Sequence, residues 1–184
     1  MTWRITKCSV STIALHLVQR KEPDSTTFTA ADGERADFPG LGNRYLLRSD
    51  RTEGRFAILE HMLAPRALGA PIHRHRNEDE YSFVLNGRMG AMVADEVVEA
   101  GPGELVVKPR GVPHAFWNAT DEETRVLELI SPGGFEQYFA DVAPILSADG
   151  PPDFAAMGQV QARYEVTMDV DSIGPLMERF GLKA

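Results

Sequence analysis

The spacing of short strand-like runs constrains this chain most. From Asn43 onward, β-branched or aromatic stretches recur at residues 45–48, 55–63, 71–76, 81–85, 88–93, 96–99, 104–108, 114–117 and 125–130. Gly, Pro, Asn or Asp separates them, and no helical periodicity intervenes. Runs this short cannot bury a face alone, so they must close on one another as a sandwich or barrel. Asn86-Gly87 is a two-residue hairpin signal between two of the runs. The texture changes after Ile130. Ser131-Pro132-Gly133-Gly134 breaks the pattern, and Phe135, Phe139 and Val142 then fall on one helical face. Residues 153–164 form a second helical candidate. Ile173, Met177 and Phe180 mark a third, with Gly181 as its stop. The expected organisation is mostly β: an N-terminal arm over 1–42, a β-barrel over 43–131, and helices over 132–184 packed on the outside of the barrel.

A chain of 184 residues with 43% hydrophobic and 25% charged residues fits one globular domain. Its net charge of −8 argues against nucleic acid, whose phosphates would repel it. The only cysteine, Cys8, allows no internal disulfide and no CxxC pair, so a cytoplasmic protein is expected. The apolar run at 12–18 is interrupted by His16 and lacks a small-residue cleavage site, so it reads as a strand or loose arm. No stretch reaches the ~20 apolar residues of a membrane span.

The chemistry centres on His73-Arg74-His75. Residues i and i+2 of a strand share a face, so two imidazoles at this spacing can meet one ion. Taken alone, the pattern fits two exposed strand histidines equally well. Glu80 opens the next run on the same face as Ser82 and Val84, and His114 opens a later one on the face of Phe116. Several imidazoles and a carboxylate suit one divalent transition-metal ion: Fe, Mn, Ni, Co, Cu or Zn. His61, Ser82 and Phe116 are candidate walls of a substrate pocket. A structural role is the competing reading for His61. Trp117 should face the opposite layer, Asn118 should fix a turn, and the side that Glu128 faces is open. Neither Gly101-Pro102-Gly103 nor Gly133-Gly134 precedes a Lys-Ser/Thr or has the strand–loop–helix spacing of a phosphate loop, so both read as turns.

These residues stand in two motifs that resemble those of the cupin family. His73-X-His75, four residues, Glu80, six residues and Gly87 follow its first motif from the first histidine on. Gly103, five residues, Pro109-Arg110-Gly111, two residues, His114, three residues and Asn118 follow its second at every fixed position. The first motif's leading glycine is replaced by Ala67, with Gly69 two residues later. A spacer of three or four residues leaves Asp79 as an alternative to Glu80, which alone keeps the distance to Gly87. The resemblance implies a jelly-roll barrel with a metal held by His73, His75, Glu80 and His114, a small-molecule ligand, and a homodimer. Likeness to quercetinase-like single-domain cupins implies a dioxygenase of phenolic or enolic molecules with Glu80 as catalytic proton acceptor. A metal-dependent isomerase or lyase of a sugar or small acid is the alternative, and a non-catalytic binding module the third.

Overall fold

The computed structural model describes residues 33–183. The expectations for Cys8, His16 and the run at 12–18 lie outside the described residues. Among the described residues, ten strands form two antiparallel sheets. The first sheet has the order β1-β2-β9-β4-β7, built from β1 (Leu41–Leu47), β2 (Ala57–Leu63), β9 (Thr124–Ser131), β4 (Asp79–Asn86) and β7 (Leu105–Lys108). The second has the order β10-β3-β8-β5-β6, built from β10 (Val166–Asp169), β3 (Leu68–His75), β8 (His114–Trp117), β5 (Met89–Val93) and β6 (Glu96–Ala100). The helices are α1 (Gln137–Leu146), α2 (Phe154–Arg163) and α3 (Ile173–Phe180). Among the described residues, no helix is long and apolar enough to cross a membrane.

Side-chain alternation decides what faces inward. β9 buries Thr124, Val126, Glu128 and Ile130, and β4 buries Glu80, Ser82 and Val84. Leu63, Val84, Met89, Val106, Phe116 and Val126 share one cluster inside the barrel. Asn86-Gly87 turns the chain into β5, with Gly87 at φ +79°. Asn118 does fix a turn: its amide donates to the carbonyls of Ala64 (3.0 Å) and Glu122 (2.7 Å), and its Oδ1 accepts from the Thr120 amide (2.9 Å). Gly69 has its own packing reason, since a Cβ there would lie 2.2 Å from the Phe116 ring.

The placement of the helices corrects part of the expectation. α3 does lie outside: Phe180 stacks on Trp117 at 3.9 Å, and Leu176 packs beside it. The segment entering α1 does not. Phe135, Tyr138, Phe139 and Val142 share a core with Leu59 and Ile130, inward residues of β2 and β9. Four large apolar side chains within eight residues bury more surface across a barrel end than on a sheet exterior. Asp153 caps α2, its carboxylate accepting from the amides of Ala155 and Ala156 at 3.0 Å. The chain then returns as β10, which pairs with β3 at Val166↔His75 and Met168↔His73. This strand has no counterpart among the nine sequence runs.

Candidate metal centre

Strands from both sheets converge at one point. His73 and His75 come from β3, Glu80 from β4, and His114 from the first position of β8, directly opposite His73. All four are buried, and one donor atom from each lies within 4.8 Å of all the others. His114 Nε2 is 3.2 Å from Glu80 Oε2, and His75 Nε2 is 3.5 Å from Glu80 Oε1.

Hydrogen bonding outside this point sets the tautomers. His73 Nδ1 donates to the Pro71 carbonyl at 2.8 Å and His114 Nδ1 to the Val112 carbonyl at 2.9 Å. Each ring therefore presents a bare Nε2 inward, as a metal-binding imidazole does. Both nitrogens of His75 are buried without a hydrogen-bond partner, and such orphaned atoms are costly unless something binds them. Its Nδ1 faces Glu78 Oε2 at 3.8 Å, and that oxygen is orphaned too. Burial holds His73 well below the usual imidazole pKa, reinforced by the neighbouring His114 and His75 rings, and burial also lowers His114. Burial alone would raise the Glu80 carboxyl, but the Lys108 ammonium and the His75 and His114 rings outweigh it and hold Glu80 well below the carboxylate range. Neutral imidazoles beside an ionised carboxylate are the state that a transition-metal ion requires. The donor set fits such an ion.

Asp79 turns away from this point. Arg110 grips it through Nη2 at 2.6 Å, Nε at 3.1 Å and its backbone amide at 2.8 Å.

Lys108 has no place in the sequence reading. Its ammonium, 1% exposed, lies 3.0 Å from Glu80 Oε2 and 3.1 Å from Glu128 Oε1. Glu128 thus faces inward, where Ser82 donates to its Oε2 at 2.6 Å and His61 Nε2 lies 4.0 Å away. Burial pushes the Glu128 carboxyl up to about 7 despite Lys108, because one ammonium is shared by two buried carboxylates. The same two carboxylates raise Lys108 against the effect of its burial. The available signal was parity: Leu105 and Val107 are exposed, so Val106 and Lys108 point inward. The apolar run Leu105-Val106-Val107 concealed it.

A cavity of about 250 Å³ opens beside the centre. His73 and Glu80 line it, with His61, Phe116, Phe135 and Phe139 around them. Of the sequence-proposed walls, His61 and Phe116 are at the cavity. Ser82 is not; it lies behind the wall, holding Glu128. Among the described residues, Glu80 is the only acidic one in the lining, and no Lys or Arg contributes to it.

Residues 59–130 match the family profile of the cupin domain. The two sheets form a cupin-type barrel. The cupin barrel superposes on KdgF from a Halomonas species with a TM-score of 0.54 and 18% identity, covering 61% of this chain and 98% of that one. The polyketide cyclase RemF from Streptomyces resistomycificus gives 0.51 and 25% identity, covering 58% and 79%. A sugar phosphate isomerase from Silicibacter pomeroyi gives 0.51 and 21%, covering 57% and 74%. No curated protein sequence matches the chain. Cupin neighbours of such different activities show the fold, while the reaction must be argued from the site.

Proposed function

We propose that the protein is a metal-dependent dioxygenase acting on a small, largely apolar phenolic or enolic molecule. The observation that carries this reading is the joining of two features: three imidazoles and a glutamate converge at the wall of a cavity otherwise lined by aromatic and aliphatic side chains. His73, His75, Glu80 and His114 would hold one Fe, Mn, Ni, Co, Cu or Zn ion. A redox-active ion from that set supplies activation of dioxygen and of an oxygen-bearing substrate. The Glu80 carboxylate accepts the proton of a substrate hydroxyl, and Lys108 steadies it from behind at 3.0 Å. The aromatic wall excludes water and receives the apolar body.

A sugar or sugar phosphate suits this cavity poorly. Its hydroxyls would lose hydrogen bonds to water against phenylalanine, and no cation among the described lining residues meets a phosphate. A second reading, non-oxidative cyclisation or elimination on an apolar substrate, keeps support from the same cavity and from the likeness to a polyketide cyclase. Loading the protein with Fe, Mn, Ni or Co and recording oxygen uptake over a panel of phenols and enols separates the two. Uptake that disappears in His75→Ala, together with about one metal equivalent, supports the dioxygenase. Turnover that persists without oxygen moves the assignment to the second reading, and neither uptake nor turnover leaves a binding protein. The reading includes a cytoplasmic homodimer. Phe83, Leu85, Leu105 and Val107 are exposed on β4 and β7 at one sheet edge, and sedimentation equilibrium measures whether two copies associate.

A further inference from the structure

The cavity does not end at the barrel wall. Its lining continues from His73 and Glu80, past Phe135 and Phe139, to Phe154, Met157, Val170 and Ile173 at the mouth. Three of these mouth residues meet water. Phe154 is 63% exposed, Val170 43% and Ile173 37%. The other exposed large hydrophobic side chains among the described residues all lie on strands β4, β6 and β7. Every such side chain of the C-terminal extension therefore sits at this one opening.

Local structure does not require these three side chains to be apolar. Phe154 is the first residue of α2, whose buried contact is Val160. Ile173 is the first residue of α3, whose buried contact is Leu176. Val170 opens the 3-10 turn before α3. None of the three belongs to a hydrophobic core cluster. A cluster of exposed apolar side chains continuous with an apolar cavity marks a surface that a ligand covers.

We infer that the substrate is longer than the cavity that receives its head, with an uncharged apolar or aromatic body that leaves the barrel and lies on the rim of Phe154, Val170 and Ile173. The inference rests on the phenolic reading above, which places the oxygen-bearing head at His73 and Glu80. Its chemical class is an amphiphile with an oxygen-bearing head and an extended apolar tail. The described residues of the lining include no Lys or Arg, so they offer an anionic tail no partner.

The test is a series from 4-methylcatechol to 4-hexylcatechol, titrated calorimetrically into the zinc-loaded protein, where no turnover consumes the probe. Affinity should tighten by roughly fourfold for each methylene that the rim covers. That gain per methylene should flatten in Phe154→Ser and in Ile173→Ser. Both sites are exposed, and an unchanged thermal midpoint would verify that the fold is retained. Equal affinities along the series in the wild type, or the same gain per methylene in wild type and both variants, overturns the rim while leaving the phenolic reading in place. No binding of any catechol to protein that holds zinc overturns both, and protein that holds no zinc removes the metal centre itself.

Discussion

At the scale of single residues, the centre is a balance of a few buried charges and lone pairs. His73 and His114 rest on backbone carbonyls, whereas His75 faces the carboxylate of Glu78 across 3.8 Å. A ring drawn onto a metal through Nε2 must carry its proton on Nδ1, and Glu78 is the acceptor within reach. Glu78→Gln should therefore weaken metal affinity by at least about tenfold and shift the absorption bands of the cobalt-loaded protein. Identical spectra and affinity would show that His75 is oriented without it. Lys108 sits between Glu80 and Glu128. Removing one partner of a buried charge group costs about 3–5 kcal/mol, because the others are left uncompensated. Lys108→Met should show such a loss in urea unfolding of the metal-free protein. Metal loading should shrink the loss, since the ion restores a positive charge beside Glu80. Adding Glu128→Gln should recover part of it, a coupling measurable as a double-mutant cycle. The four residues that meet at the centre were legible because strand parity and motif spacing mark them in the sequence. Lys108 was not, because its purpose is two carboxylates on other strands.

At the scale of elements, the strands were legible wherever turn residues bound a run of alternating side chains. β4, β5, β8 and β9 fall where the runs predict, and Gly181 ends its helix as read. β3 begins at Leu68, earlier than its apolar signal, because Gly69 and Ala70 carry little side chain to reveal a strand. β10 was illegible. Its four residues, Val166–Asp169, pair with β3 only because α1 and α2 bring the chain back there. Helical periodicity likewise identified the buried face of α1 but not what it would be buried against. The structure puts Phe139 edge-on to His61 at 5.3 Å and Phe135 edge-on to His75 at 4.3 Å, so the helical segment packs over the end of the barrel that carries the histidine cluster. Phe139→Ala should destabilise the fold by about 3–5 kcal/mol, the range for a buried phenylalanine replaced by alanine. It should also admit water to the cavity. Denaturant unfolding measures the first effect, and faster metal loss to a chelator the second. A Phe139 that merely covers the exterior would give neither.

At the scale of the whole molecule, the buried groups set a pH profile that can be worked out with its sign. Burial, reinforced by the Lys108 cation, holds His61 at about 3, far below the ordinary 6.5. His73 and His114 are lowered as well. The unfolded chain takes up protons at these histidines below about pH 6.5, while the folded chain refuses them. Their contribution is therefore complete above that value and is lost as pH falls toward 3. Glu128 acts in the opposite direction. Its carboxyl stands at about 7 when folded against 4.5 ordinarily, so its contribution is complete below 4.5 and is lost as pH rises through 7. Three histidines outweigh one glutamate between these limits. The thermal midpoint of the metal-free protein should rise from pH 4.5 to about 6.5 and then level off. In Glu128→Gln the rise should be steeper, because the opposing group is gone, and in His61→Asn shallower. Metal loading should steepen the acid side further, since ion and protons compete for the same imidazoles. A midpoint that is flat or falling from pH 4.5 to 6.5 in the metal-free protein would mean that these histidines accept protons in the folded state. That would remove the reason for treating them as a preformed set of neutral donors.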